Sequence, residues 1–126
     1  MTLKIAVPSV QPGGLDAAVA QHFGHCDLYT LIEADETTKT VTSVTTVPSC
    51  AHEHGGCLAP VAYLADKGVN VLLSGGMGMR PLLGFLQSGV AVYYAAGAET
   101  VGKAVEAHLA GALPAFSPNH SCGAHH

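Results

Sequence analysis

The chain has 126 residues, 48% of them apolar and 11% charged, with a formal net charge of -4. This is one domain's length with ample material for a buried core, and no run approaches the roughly 20 apolar residues that a membrane span needs. Its five cations, Lys4, Lys39, Lys67, Arg80 and Lys103, are scattered, so no basic stripe exists to neutralise the phosphates of nucleic acid.

Met1 to Lys4 leads into a strand and not into an apolar signal core, so a cytoplasmic location is expected. Leu3 to Val7 is a β-branched and apolar run that Pro8 should end, with Gln11-Pro12-Gly13-Gly14 forming a loop behind it. Asp27 to Glu33 and Lys39 to Val47 are strand-like, and Asp35 to Thr38 supplies a turn that makes them a hairpin. In the second of these strands Val41, Val44 and Val47 alternate only imperfectly.

Beyond residue 57 the period becomes helical. Leu58, Val61, Ala62 and Ala65 share one face, Pro60 is tolerated in a first turn, and Gly68 suits the end. Val69 to Leu73 reads as a buried strand, followed by a helix from about Met79 to Ser88 that Gly89 stops. Val90 to Ala95 is a further strand. A last helix runs from about Glu99 to Ala110, with Val101, Val105 and Leu109 four apart, Glu99 or Thr100 at its start and Gly111 after it.

Three strands followed by alternating helices and strands predict an α/β fold. It has a five-stranded mixed sheet, an antiparallel hairpin continuing a parallel core through right-handed crossovers, and helices on both faces. This order matches a ribonuclease-H-like architecture. The expected organisation is a single domain over 1–113 and a flexible tail over 114–126, where "PAFSPNHSCGAHH" has no periodicity.

Three loop motifs carry chemistry. His22, His25 and Cys26 lie in "QHFGHC", where one turn of chain presents all three. The plainer reading of that stretch is a loop that docks Phe23 into the core and leaves its histidines solvated. Cys50, His52, His54 and Cys57 form C-x-H-x-H-x-x-C, two thiolates and two imidazoles of the kind that copper(I), zinc and iron–sulfur units select. The spacing lacks the paired C-x-x-C of a structural zinc module, and a chain of this length needs no metal to fold. Gly55 and Gly56 precede a helix start, so backbone can approach a bound anionic group closely. The plainer reading is a flexible glycine loop.

The third motif is "SGGMGMRP", with Gly75, Gly76, Met77, Gly78, Met79 and Arg80 between a strand and a helix. Such a turn can cradle an anion, the thioethers suit a soft metal, and Arg80 can meet negative charge; core packing and a solvated cation explain them equally well. Pro81 stands where a dinucleotide fingerprint needs glycine. "LKIAV" and "VNVLL" carry no carboxylates, so nothing holds paired magnesium ions for a nuclease. Ser9 and Ser74 lack a G-x-S-x-G setting. A non-catalytic protein is the expectation.

"LKIAVPS", "HFGHC", "HGGC" before a helix and "LLSGGMGMRP" together resemble the dinitrogenase iron-molybdenum cofactor biosynthesis family. That family includes NifX-like proteins, NifB C-terminal domains and the orange-protein branch of sulfate reducers. The likeness spans roughly residues 3–113. It implies a ribonuclease-H-like fold that binds a metal–sulfur cluster, either an iron–molybdenum cofactor precursor or a sulfide-bridged molybdenum–copper cluster. It carries over His22, His25, Cys26, His54, Cys57 and Gly75 to Met79; Cys50, His52 and the tail lie outside the matching pattern. Two readings of other classes stand beside the cluster carrier: a protein that buffers bare copper or zinc ions, and a module that docks on a redox, cluster-assembly or division-related complex.

Overall fold

The computed structural model describes residues 2–20, 28–48, 58–77, 79–95 and 98–116. Among them lie five strands and three helices. In chain order they are β1 (Thr2–Ser9), β2 (Leu28–Asp35), β3 (Thr40–Pro48), α1 (Leu58–Asp66), β4 (Val71–Ser74), α2 (Met79–Gln87), β5 (Ala91–Tyr94) and α3 (Val101–Leu109). The strands form one mixed open sheet in the order β3-β2-β1-β4-β5. β1–β2 and β2–β3 are antiparallel, while β1–β4 and β4–β5 are parallel. The α/β class, the hairpin and the five-stranded mixed sheet are as the sequence predicts.

Side-chain alternation splits the core in two. Ala6 and Leu72 face one side with Leu64 of α1 and Leu82 and Phe85 of α2. Ile5, Val7, Val71 and Leu73 face the other, under Val101, Ala104 and Val105 of α3. β1 and β4 are thus buried on both faces, which is why they read as continuous apolar runs. No helix among the described residues is long and apolar enough to cross a membrane.

Three expectations need correction. β1 does not stop at Val7 but runs through Pro8 to Ser9. Its pairing with β4 is confined to Ile5 and Ala6, so Pro8 breaks no ladder on that side, and the Pro8 carbonyl accepts the Ala20 N–H at 2.8 Å. α3 begins at Val101 because Thr100 is extended and caps the helix, its side chain accepting the Lys103 N–H. Residues 114–116, expected at the start of a mobile tail, belong to the fold. The Tyr94 N–H donates to the Pro114 carbonyl at 2.9 Å and the Phe116 N–H to that of Val92 at 2.8 Å, and Phe116 is 6% exposed. Residues 117–126 lie outside the described residues.

The uneven valines of β3 also have a cause. The register slips between Glu33 and Ala34, so Val41 lies opposite Ala34 while Val44 lies opposite Ile32. This bulge at Thr42, whose hydroxyl donates to the Glu33 carbonyl at 3.1 Å, returns Val41 and Val44 to one face although they are three apart.

Candidate functional site

The topology gathers the three motifs' points of attachment at one edge of the sheet. β1, β4 and β5 end there, at Ser9, Ser74 and Tyr94; antiparallel β2 starts there at Leu28, and β3 ends there at Pro48. Leu28 is the register partner of both Ser9 and Pro48. The stretch 21–27 with His22, His25 and Cys26 therefore enters the fold one strand away from where 49–57 leaves it, a spacing of about 4.8 Å. The third motif follows Ser74, two strands further along. His22, His25, Cys26, Cys50, His52, His54, Gly55, Gly56, Cys57 and Gly78 themselves lie outside the described residues.

The residues that hold this edge in shape are small hydroxyls. Ser9 and Thr30 are fully buried. The Ser9 hydroxyl donates to the Val7 carbonyl at 2.6 Å, so at the 2.9 Å contact between the two hydroxyls Thr30 must be the donor, and Thr30 Oγ1 in turn accepts the Gly14 N–H at 3.2 Å. The chain of bonds ties the loop behind β1 to the start of β2. Gly13, at φ +80, closes the approach: a Cβ there would sit 2.7 Å from Thr46 Cγ2 and 2.8 Å from Leu28 Cδ1.

A second hydroxyl shapes the third motif. Ser74 is fully buried; its Oγ donates to the Gly76 carbonyl at 3.1 Å and accepts the Gly76 N–H at 3.2 Å. This turns the chain sharply before α2. Met77 follows at 1% exposure, packed with Leu72, Leu82 and Phe85, so its thioether is core material rather than a presented ligand. Met79 and Arg80 are the first two residues of α2, at the end of that helix where the backbone dipole is positive. The start of α3 is already used: the Val101 and Gly102 N–H groups donate to the Ala17 and Leu15 carbonyls, both at 2.8 Å.

The hydroxyl protons of Ser9 and Ser74 are each committed to a backbone carbonyl, and among the described residues no base stands beside either. Among the described residues no three His, Cys, Asp or Glu side chains gather into a metal site. His108 on α3 is half-buried, with its ring centroid 4.6 Å from that of Tyr93. The buried Ser9–Thr30 pair escaped the sequence reading because its members are 21 residues apart; the one local signal was a serine and a threonine in otherwise apolar strands.

The family described as dinitrogenase iron-molybdenum cofactor matches residues 1–111. Among solved structures, the apo form of the orange protein from Desulfovibrio gigas is 27% identical, with a TM-score of 0.75 over 90% of this chain and 92% of that one. A NifB-like Thermotoga protein of the DUF35 family is also 27% identical, with a TM-score of 0.71 over 91% and 97%. A dinitrogenase-like protein from Methanocaldococcus jannaschii shares the fold at 15% identity, with a TM-score of 0.72 over 93% and 97%. No curated protein sequence matches the chain significantly.

Proposed function

The chain belongs to the dinitrogenase iron-molybdenum cofactor family, and from that premise we propose that it binds and carries a molybdenum-containing metal–sulfur cluster without acting on it chemically. The observation that carries this reading is the register Ser9–Leu28–Pro48 beside Ser74, which sets the attachment points of three ligand-rich motifs along one sheet edge. Ligands drawn from separate loops on a rigid sheet suit a cargo that must be held and then released.

In this reading His22, His25, Cys26, Cys50, His52, His54 and Cys57 are the soft donors. Gly55, Gly56, Gly75, Gly76 and Gly78 let backbone come close, and Arg80 opposes the cluster's negative charge. Met79 remains a candidate and Met77 does not, being enclosed in the core. The cargo in this reading is a molybdenum–copper sulfide cluster or an iron–molybdenum precursor, the orange protein and the NifB-like Thermotoga protein being equally similar to this chain at 27% identity. The reading also places the protein in a reducing compartment, where its thiols stay available, and takes the sheet order as ribonuclease-H-like.

The test is protein purified anaerobically from its own host, with molybdenum, copper, iron, zinc and acid-labile sulfide counted per chain and a visible spectrum recorded. Charge-transfer bands together with molybdenum and sulfide are expected. So is uptake of a tetrathiomolybdate–copper mixture by the metal-free protein, reduced in a Cys26→Ser, Cys57→Ser variant. A colourless protein holding zinc or copper alone, and inert to that mixture, would replace this reading with ion buffering.

A further inference from the structure

The two faces of the sheet are covered unequally. Among the described residues, α1 and α2 pack on one face and only α3 on the other. The sheet's two edges differ as well. Pro114 to Phe116 run along β5, whereas no described residue pairs with the outer side of β3, and residues 40–46 of that strand are all exposed. On the α3 face, between α3 and β3, lies a groove of about 490 Å³. Leu15, Val41 and Leu109 supply its apolar lining over the buried Val105, and Lys39 and Glu106 its charges. The bulge at Thr42 adds Val44 to the same face, so Val41 and Val44 stand 38% and 37% exposed side by side. An apolar patch of this kind, rimmed by charge, marks an interaction site.

The charges say what fits it. Lys39 projects from the hairpin and Glu106 from α3, one of each sign on opposite walls, and among the described residues neither makes an ion pair. A two-fold contact sets residue i of one copy against residue j of the other and j against i. A second copy of this chain therefore offers a glutamate to each lysine and a lysine to each glutamate. Thr40 to Pro48 carry no ionisable side chain, so nothing of like sign opposes along the strand.

We propose that the groove between α3 and β3 is the interface of a two-fold homodimer, with Val41 and Val44 at its centre and two reciprocal Lys39–Glu106 pairs at its rim. Lys39 and Val41 belong to the turn end of the hairpin, away from the Leu28–Pro48 end. The dimer leaves the candidate cluster edge open, and the proposal does not depend on what that edge binds.

The full-length chain, in reductant and chelator so that neither disulfides nor metal ions bridge copies, is followed by light scattering and sedimentation from micromolar to millimolar concentration. The mass is expected to double with concentration. Val44→Glu, at a position exposed in the single chain, should remain monomeric with an unchanged circular dichroism spectrum. Lys39→Glu or Glu106→Lys alone should weaken the dimer about tenfold by setting like charges opposite, and the double charge swap should restore it. A wild type that stays monomeric throughout overturns the proposal. So does a dimer indifferent to Val44→Glu, or a charge swap that fails to recover what its single components lose.

Discussion

At the scale of single residues, His108 is the one described histidine, and its surroundings make a pH-dependent contribution to stability. Burial beside Tyr93 pushes its pKa below the usual 6.5, and the negative charge of Glu36 offsets this in part. The unfolded chain therefore takes up a proton on this ring at a higher pH than the folded chain does. Its contribution is fully present above 6.5 and is lost as pH falls through the lower folded value. His108→Phe keeps a ring against Tyr93 and removes the proton. Urea midpoints at about pH 8 and about pH 5 should fall further for the wild type than for the variant, the other histidines contributing equally to both. Equal falls would show that burial at this position does not disfavour the charged ring. The same scale marks where reading the sequence stops. Nothing local in the sequence singles out His108, and Met77 reads as much as a ligand as a core residue, because the neighbours that decide both cases come from other elements. The soft-ligand motifs were legible from residue type and spacing alone, since the chemistry of thiolate and imidazole does not wait for the fold.

At the scale of elements, boundaries depend on caps and turns more than on periodicity. Thr100 is extended at φ -133, its Oγ1 accepting the Lys103 N–H at 3.2 Å, while the Val101 and Gly102 N–H groups are held by the loop at Leu15 to Ala17. Thr100→Ala removes one of these partners and should cost about 1 kcal/mol, measured as a shift in urea midpoint with an unchanged slope. Thr100→Ser, which keeps the hydroxyl, should recover most of it. Elements of this kind were largely legible. The helical spacing of Val101, Val105 and Leu109, the apolar run into β4 and the turn at Asp35 each state a period or a breaker locally. Asp35 also holds that turn with its own carboxylate, which accepts the Thr37 N–H at 2.8 Å; this hydrogen bond and a second from Thr38 keep its pKa below the usual carboxylate value. Less legible was the bulge in β3. An extra residue in one strand is visible only against the partner that lacks it, so Val41 and Val44 read as faulty alternation although they share a face across the bulge, while Val47 packs with the other half of the core.

At the scale of the whole molecule, the sheet divides the core, and each half must be closed by something. α1 and α2 alone do not close their side, because the outer edge of β5 would remain open and the core behind Val92 and Tyr94 uncovered. The segment Pro114 to Phe116 supplies both closures: its backbone bonds to Val92 and Tyr94, and the Phe116 ring meets Tyr94 edge-on at 5.6 Å between centroids. The stretch 114–126, with two prolines and no periodicity, reads as a tail, and Pro114 to Phe116 are too few residues to state a pattern of their own. Phe116→Ala should cost about 3 kcal/mol and lower the Tm on the order of 10 °C. Phe116→Leu, which keeps an apolar side chain in the same place, should lose less than half of that. If closure of β5 is the segment's second role, Phe116→Ala should also aggregate faster on heating than an equally destabilised α3 variant, because it frees an apolar edge strand as well as weakening the fold. Matching the two variants by Tm and comparing their scattering during a thermal ramp separates the roles: equal rates would leave Phe116 a core residue alone, and a faster rise for Phe116→Ala would make it the cover of the sheet's β5 edge.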